Sequence, residues 1–281
     1  MDTWFITGCS TGLGRALALE VLDRGAAAVV TARDPASVRD LVDRYPDTAL
    51  AVGLDVTDGR QVTAAVSAAE ARFGDIDVLV NNAGYGYRAA IEEGDEAEVA
   101  ELFATNVFGA VDLIKKVLPG MRARRRGAIV NVSSVAVRDA QPGSGYYAAS
   151  KIALVGLSDA LRKEVGPLGV QVLVVEPGAF RTDFAGRSLK QSALAIDDYA
   201  ATAGRRRKEN LPAMANQPGD PARAARAIMA AVGDPQAPFR LTLGRDAVAR
   251  TGNDLDNQQK ELESWRSVSL GTDLDSEIPQ A

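Results

Sequence analysis

The stretch Thr3-Trp4-Phe5-Ile6-Thr7-Gly8-Cys9-Ser10-Thr11-Gly12-Leu13-Gly14 joins an apolar, strand-like run to a loop that contains three glycines. A helical pattern follows over residues 16–24 and stops at Gly25. Glycines allow a tight turn and let backbone N–H groups approach a pyrophosphate at the positive end of a helix. The loop has the spacing G-x-x-x-G-x-G, and with a strand before it and a helix behind it we interpret it as a dinucleotide-binding turn.

Strand-like and helical runs alternate along the chain beyond this unit. The further strand-like runs are residues 27–32, 50–54, 77–80, 127–134, 170–176 and 239–243. Strands that alternate with helices predict a parallel sheet with right-handed crossovers. We therefore expect an α/β fold, a doubly wound, mostly parallel Rossmann-type sheet of about seven strands with helices on both faces.

Composition excludes several classes of protein. The 281 residues are 46% hydrophobic and 25% charged, and no apolar run approaches the roughly 20 residues that span a bilayer. Together with the absence of a charged leader before Trp4, this predicts a cytoplasmic protein without a membrane partner. The chain has one cysteine, Cys9, and no histidine, which leaves no disulfide, no usual zinc site and no Ser-His-Asp triad.

The charge of the chain is concentrated at its C-terminus. Residues 252–281 hold seven acids against Lys260 and Arg266, which accounts for the whole net charge of -5. The remainder is balanced, so no nucleic-acid partner is expected. We expect one dinucleotide-binding and catalytic domain over residues 1–250 and an acidic extension over 251–281. The extension is predicted as a surface helix anchored by Trp265 or as a partly disordered tail.

The second strand ends in Thr31-Ala32-Arg33, followed by Asp34-Pro35, which resembles the start of a helix. In NAD-binding folds an acid near this point binds the ribose 2′-hydroxyl, whereas an arginine accommodates a 2′-phosphate. Arg33 therefore favours NADP(H), while Asp34 keeps NAD(H) open as the cofactor.

The stretch Tyr147-Ala148-Ala149-Ser150-Lys151 puts a phenol and an ammonium group four residues apart, on one face of a helix. A tyrosine that moves protons near neutrality needs a positive charge to stabilise its phenolate, and Lys151 can supply it. Ser134, at the end of a strand, can point into the crevice where such sheets bind ligands and hold the substrate oxygen.

Several motifs together resemble the short-chain dehydrogenase/reductase family over residues 3 to about 183. They occur in the family's order and approximate spacing, and they are Thr7-Gly8-x-x-x-Gly12-x-Gly14, Asn81-Asn82-Ala83-Gly84, Asn106, Ser134, Tyr147-x-x-x-Lys151 and Pro177-Gly178-x-x-x-Thr182. Residues 174–182 also resemble the branch that contains hydroxysteroid and retinol dehydrogenase-like members.

The resemblance implies a catalytic tetrad of Asn106, Ser134, Tyr147 and Lys151. Tyr147 would be the acid and base, Ser134 would orient the carbonyl, Lys151 would also hold the nicotinamide ribose, and Asn106 would anchor a proton relay through water. Ser134 is chosen over Ser133 because the family's serine precedes its tyrosine by thirteen residues. The implied cofactor-binding residues are Gly8, Ser10, Thr11, Gly12, Leu13, Gly14, Arg33, Asp55, Val56, Asn82, Ala83, Gly84, Lys151, Pro177, Gly178 and Thr182. Thr11 departs from the NADP(H) pattern, in which a basic residue often precedes the second glycine.

Residues 184–219 contain no convincing strand and are predicted to form a mobile lid over the substrate. Phe184, Leu189, Leu194 and Ile196 are expected to share one face of a short helix, and Pro212 interrupts the segment. The helices around residues 107–121 and 148–165 carry apolar residues on more than one face, which predicts a homodimer or homotetramer.

We therefore expect an NADP(H)-preferring oxidoreductase that interconverts a secondary alcohol and a ketone by hydride transfer. A 3-oxoacyl reductase and an epimerase-type reaction use the same tetrad and remain open alternatives. A non-catalytic nucleotide-binding regulator is the third, although Tyr147 and Lys151 are both retained.

Overall fold

A computed structural model of the chain describes residues 1–208 and 216–274. Its described strands follow in chain order: β1 (Thr3–Ile6), β2 (Ala27–Ala32), β3 (Ala49–Gly53), β4 (Val78–Asn81), β5 (Gly86–Arg88), β6 (Gly127–Val132), β7 (Val170–Pro177), β8 (Leu189–Gln191) and β9 (Arg240–Leu243). The described α-helices are α1 (Gly12–Asp23), α2 (Arg39–Arg44), α3 (Gly59–Phe73), α4 (Glu96–Phe103), α5 (Gly109–Arg124), α6 (Gly145–Val165), α7 (Ala203–Lys208), α8 (Pro221–Ala231) and α9 (Arg245–Leu270).

Seven of the described strands form one sheet in the order β3-β2-β1-β4-β6-β7-β9, and all of their pairings are parallel. The direction of winding reverses between β1 and β4, which leaves a crevice at the carboxyl ends of these two strands. The predicted doubly wound parallel sheet is confirmed. The loops expected to bind the cofactor follow the strands on either side of this crevice.

Alternate residues of each central strand enter two different cores, as the period of two in a strand requires. In β1, Trp4 and Ile6 pack with α1 and α8 on one face, whereas Phe5 packs with α3 and α5 on the other. Because both faces are covered, three successive residues of the strand, Trp4, Phe5 and Ile6, are apolar instead of alternating with polar residues.

A second, two-stranded sheet corrects the expectation for the lid segment. β8, at residues 189–191, pairs in parallel with β5, so this segment does contain a strand. Leu189 lies in that strand and Leu194 is 54% exposed, so the predicted single helix face over the pocket is wrong. These two strands have three residues each and are far apart in the sequence, so no local pattern of residues predicts that they pair. Pro212, the predicted interruption, lies outside the described residues.

The C-terminal extension is a helix rather than a tail over its described part. α9 begins at Arg245 and runs across the expected domain boundary to Leu270. Every residue from 255 to 274 is exposed, and Trp265 is 65% exposed. The expectation that Trp265 anchors this helix is therefore wrong for the described residues, since none of them forms a core around its indole.

Candidate active site

A cleft of about 930 Å³ opens at the carboxyl edge of the main sheet. It is lined by fifteen of the sixteen residues predicted to bind the cofactor, namely Gly8, Ser10, Thr11, Gly12, Leu13, Arg33, Asp55, Val56, Asn82, Ala83, Gly84, Lys151, Pro177, Gly178 and Thr182. Ser134 and Tyr147 line the same cleft. Gly14 and Asn106 are not among its lining residues. The sequence motifs thus converge on one place, although they are spread over most of the chain.

The glycine loop is tied directly to the loop after β4. Gly8 and Gly12 have φ angles of 71° and 65°, which glycine adopts without steric cost. The Thr7 hydroxyl accepts hydrogen bonds from the backbone N–H groups of Asn82 and Ala83, both at 2.9 Å. A Cβ on Gly14 would overlap the Asn82 amide, so this third glycine permits close packing instead of lining the cleft.

The N-terminus of α1 faces the cleft with unused hydrogen-bond donors. Thr11 occupies the N-cap position but its side chain makes no capping hydrogen bond. Free N–H groups at a helix N-terminus bind phosphate. A Cβ on Gly12 would lie 3.4 Å from the Thr182 side chain, so Thr182 is close to this loop. These features fit the pyrophosphate of a dinucleotide.

Arg33 and Asp34 have different surroundings at the end of β2. The Asp34 carboxylate accepts a hydrogen bond from the Ala36 N–H at 3.0 Å and caps a short 3₁₀ turn. Arg33 lines the cleft, and within the described residues its guanidinium makes no hydrogen bond or ion pair. The basic group is therefore available to a ligand, whereas the acidic group is already engaged.

Two neighbouring serines at the end of β6 make different hydrogen bonds. Ser133 is 2% exposed, and its hydroxyl donates a hydrogen bond to the Lys151 carbonyl at 3.3 Å. Ser134 lines the cleft, accepts a hydrogen bond from the Ala136 N–H at 3.1 Å, and lies close enough to Tyr147 to affect its pKa. Both serines line the cleft, but the Ser133 hydroxyl is engaged by the Lys151 carbonyl, so Ser134 stays the serine predicted to hold the substrate oxygen.

Tyr147 and Lys151 lie one turn apart on α6, and burial moves their pKa values in opposite directions. Desolvation raises the pKa of Tyr147 from 10.0 to about 12, against a smaller lowering by the Ser134 hydroxyl. Desolvation also lowers the pKa of Lys151 from 10.5 to about 8. In the protein alone, burial outweighs the effect expected from Lys151, so the phenol keeps its proton and the amine is still mainly charged at neutral pH.

Lys151 and Asn106 are held from behind the cleft. The Lys151 Nζ atom donates a hydrogen bond to the Val132 carbonyl at 2.9 Å. Asn106 lies in a π-helical segment, Ala104–Phe108, which joins α4 to α5. Its amide accepts from the Tyr85 N–H and donates to the Tyr85 carbonyl and the Ser150 hydroxyl, each at 3.0 Å. Asn106 thereby connects α6 to the loop after β4, and its hydrogen bonds hold these two elements in position relative to each other.

One end of the cleft is lined by Phe184 and Leu189, which were predicted to belong to the lid, and by Gly86, which was not predicted. The ring centroid of Phe184 lies 5.7 Å from that of Tyr147. A Cβ on Gly86 would lie 2.9 Å from Leu189 and 3.3 Å from Phe184, so the glycine makes room for both apolar side chains. The glycine at position 86 was a visible signal, but its neighbours come from a distant segment.

The lid segment is attached to the body through Glu93, which is 1% exposed. The carboxylate accepts hydrogen bonds from the Ile196 N–H at 2.8 Å and from the Arg207 guanidinium, and the Glu93 carbonyl accepts from the Ser192 hydroxyl. Burial alone would raise the pKa of Glu93, but these donors, with the Ala90 N–H, hold it below its usual value. A buried carboxylate thus fastens residues 192–207.

The part of the chain formed by residues 1–208 and 216–274 lacks two other features. No cluster of three metal-binding side chains occurs in that part of the chain. None of its helices has both the length and the apolarity required to cross a bilayer.

Comparison with known proteins agrees with this geometry. Residues 2–193 match the family described as short chain dehydrogenase. The oxidoreductase BOA17 of Botryotinia fuckeliana is 36% identical over 270 residues, covering 96% of this chain and 98% of that protein. Retinol dehydrogenase 8 of Homo sapiens is 36% identical over 69% of this chain and 63% of that protein. The 3-oxoacyl-[acyl-carrier-protein] reductase FabG of Vibrio cholerae is 34% identical over 63% of this chain and 73% of that protein.

Solved structures show a likeness over the whole fold, and two of those described here contain a nicotinamide cofactor or a derivative of one. A short-chain dehydrogenase from Streptomyces avermitilis is 42% identical, with a TM-score of 0.90 over 97% of this chain and 100% of that one. A short chain dehydrogenase/reductase from Burkholderia phymatum in complex with NAD is 25% identical, with a TM-score of 0.78 over 92% and 95% of the two chains. An alcohol dehydrogenase from Thermococcus sibiricus complexed with 5-hydroxy-NADP is 25% identical, with a TM-score of 0.68 over 86% and 95%. The chain therefore belongs to the short-chain dehydrogenase family and is an NAD(P)-dependent oxidoreductase.

Proposed function

We propose that this oxidoreductase interconverts a secondary alcohol and a ketone, with NADP(H) as the preferred cofactor and Tyr147 as the acid and base. The observation that carries this proposal is the shared cleft of Tyr147, Ser134 and Lys151, which also contains the glycine loop. When bound, the nicotinamide supplies or accepts the hydride. The remaining requirement is a group that exchanges a proton with the substrate oxygen, and Tyr147 is that group.

In the direction of reduction, Ser134 donates a hydrogen bond to the carbonyl oxygen and holds it beside the Tyr147 phenol. As the carbonyl carbon gains the hydride, its oxygen gains negative charge and takes the proton from Tyr147. The raised pKa of Tyr147 means that this proton is present throughout the neutral range. Lys151 carries positive charge at neutral pH, so it stabilises the phenolate that remains until solvent returns a proton.

The preference for NADP(H) is supported by the end of β2. A 2′-phosphate carries negative charge and is bound well by an unpaired guanidinium, such as that of Arg33. An NAD(H) ribose would instead be bound by a carboxylate, and one of the two oxygens of Asp34 already caps the 3₁₀ turn. Thr11, where NADP(H) enzymes often have a basic residue, leaves Arg33 as the main determinant.

Reduction of a 3-oxoacyl group is the second candidate, because the same groups act on any carbonyl held beside Tyr147. The name of the Vibrio cholerae relative supports it. An epimerase-type reaction and a non-catalytic regulator have no comparable support. A panel of ketones that includes a 3-oxoacyl thioester distinguishes the two leading candidates.

The test is an absorbance assay at the nicotinamide band, with NADPH or NADH and this panel. We expect turnover of a ketone, faster with NADPH, and a loss of about 10²- to 10⁴-fold in kcat for Tyr147→Phe with nearly unchanged cofactor binding. If Tyr147→Phe keeps more than about a tenth of the wild-type kcat, another group moves the proton.

We also propose that the protein acts as a homodimer or homotetramer. Phe108, Ile152 and Leu157 are apolar and 61%, 50% and 47% exposed on α6 and on the segment before α5. Apolar side chains of this size on neighbouring helices are typical of an interface between subunits.

A further inference from the structure

The first turn of α9 lies against the loop that follows β7. The Asp246 Oδ2 atom accepts a hydrogen bond from the Ala179 N–H at 2.9 Å. The same carboxylate lies so close to Gly178 that a Cβ at that position would overlap both of its oxygens. One acidic side chain therefore fixes two consecutive residues of the loop, and the glycine makes this approach possible.

This loop forms one wall of the cleft. Pro177, Gly178, Ala179 and Thr182 all line it, and Asp246 itself reaches its edge. Thr182 and Gly12 of the glycine loop both line this cleft, and a Cβ on Gly12 would lie 3.4 Å from the Thr182 side chain, so the two loops come near each other in the cofactor-binding region. A small shift of Gly178 and Ala179 would therefore change the position of whatever lies between the two loops.

The surroundings of Asp246 are unusual for a residue that only stabilises the fold. Its Oδ1 atom is buried and has no hydrogen-bond partner. Burying an unpaired carboxylate oxygen costs free energy, even with the partial compensation that a helix N-terminus provides. The described hydrogen bond of this carboxylate goes to the cleft wall.

α9 is well placed to hold this loop because it is fixed at a second point. The Arg250 guanidinium donates to the Asp139 carbonyl at 2.7 Å, and Arg138 lies 3.8 Å from the Asp254 carboxylate. Arg138 and Asp139 belong to the segment that follows Ser134. The helix thus connects the segment that precedes Tyr147 in the sequence to the loop that follows β7. It lies outside residues 2–193, the part of the chain that matches the family.

We propose that Asp246 is a positioning residue for the nicotinamide half of the cofactor, acting through Gly178 and Ala179. This proposal rests on the proposed function, because it requires that the nicotinamide lies against the loop after β7. The carboxylate makes a charge-assisted hydrogen bond, which is stronger than a neutral one and holds the Ala179 N–H in one orientation. The adenosine half would be held towards Arg33 and Val56, away from this loop.

The test compares binding of the whole cofactor with binding of a fragment that lacks nicotinamide. Full-length wild type and variants are titrated by calorimetry with the reduced cofactor that the wild type binds more tightly. The matching fragment is ADP-ribose if that cofactor is NADH, and the 2′-phosphate of ADP-ribose if it is NADPH. We expect Asp246→Ala to raise the Kd of the cofactor about tenfold, as expected for loss of a hydrogen bond to a charged group. The Kd of the fragment should change less than about twofold.

Two variants control this result. Asp246→Asn keeps an oxygen that accepts from Ala179 and should raise the cofactor Kd less than Asp246→Ala does. Asp256→Ala removes an exposed carboxylate from the same helix and should bind both ligands as the wild type does. If Asp246→Ala does not fold, Asp246→Glu displaces the carboxylate from Ala179 while keeping its charge, and it should weaken the cofactor selectively.

Each other outcome overturns the proposal in a distinct way. An unchanged cofactor Kd in Asp246→Ala refutes the positioning role and leaves the proposed function intact. Equal weakening of cofactor and fragment shows a general structural role. Wild-type protein that binds the fragment and the cofactor equally well shows that nicotinamide is not held here at all, and wild type that binds neither refutes the proposed function itself.

Discussion

The ring of Phe184 lies against the ring of Tyr147, with centroids 5.7 Å apart and planes inclined by 52°. Phe184 follows Thr182 by two residues, so the loop that lines the cofactor region also covers the phenol. Burial is the main cause of the raised pKa of Tyr147, and the Phe184 ring is part of what buries the phenol. Phe184 therefore contributes to the raised pKa of Tyr147.

We expect Phe184→Ala to lower the pKa of Tyr147, since water then reaches the phenol. Alcohol oxidation needs the phenolate, so the rise of kcat with pH should move to lower pH in this variant. Phe184→Leu keeps apolar cover and should move the profile less. A pH–rate profile that is identical in wild type and Phe184→Ala would show that Phe184 does not set the environment of Tyr147.

For the cofactor, we expect Arg33→Asp to weaken NADP(H) at least about tenfold more than NAD(H), because it removes a charge-assisted contact and adds repulsion. Fluorescence titration with both reduced cofactors measures the two Kd values. Arg39→Asp, an exposed arginine outside the cleft, is the matched control. Equal Kd values for the two cofactors in the wild type would contradict the assigned preference.

Lys151 should lower the stability of the folded protein over a defined range of pH. Its folded pKa of about 8 lies below its ordinary value of 10.5, so the unfolded chain binds the proton more tightly. The cost is complete below about pH 8, shrinks as the pH rises towards 10.5, and corresponds to about 3 kcal/mol at about 1.4 kcal/mol per pKa unit.

Lys151→Met should therefore be more stable than wild type near neutral pH and lose that advantage at pH 10.5, while activity is abolished. Thermal unfolding at the two pH values measures the difference in Tm. Lys116→Met, on the exposed side of α5, should show no such dependence. A difference in Tm that does not vary with pH would contradict the shifted pKa of Lys151.

The lid prediction can be tested at its attachment. We expect residues 184–208 of the wild type to gain protection from hydrogen exchange when cofactor and a ketone analogue bind. Glu93→Gln removes the charge that pairs with Arg207, so it should speed exchange in residues 192–207 without ligand, whereas Glu96→Gln, an exposed neighbour, should not. Equal protection in free and ligated wild type would show a permanently packed insertion instead of a lid.

For assembly, we expect Ile152→Glu combined with Leu157→Glu to reduce the mass measured by light scattering to that of a monomer. Charges placed at an apolar interface remain buried without partners and oppose association. Ala64→Glu, on the exposed side of α3, should leave the mass unchanged. A monomeric wild type at micromolar concentration would contradict the proposed oligomer.

The sheet and the glycine loop could be predicted because their signals are local. Buried strands such as residues 27–32 are apolar except for Thr31, and Gly12 marks the start of α1. Ser134 and Tyr147 were found through motif spacing, which fixes their separation along the chain, and the strand-loop-helix order then brings both to one sheet edge.

What the sequence did not reveal depends on contacts between distant segments. β8 has three residues and is defined by its pairing with β5, in which Leu189 lies opposite Gly86. Asp246 contacts Ala179 across 67 positions, and no pattern around either residue indicates this pairing. Trp265 was misjudged for a related reason, since a large apolar side chain predicts burial only where a surface exists to bury it.

The parallel pairing of β5 with β8 defines the unit that protein engineering would have to exchange. A loop taken from a relative to change specificity would bring its own version of β8, whose register must match Gly86–Arg88. It would also need its own equivalent of Glu93, because that carboxylate fastens the far end of the loop. Residues 86–93 and 184–208 therefore form a single transplantable module, and a graft of the second segment alone would arrive without the surface on which it folds.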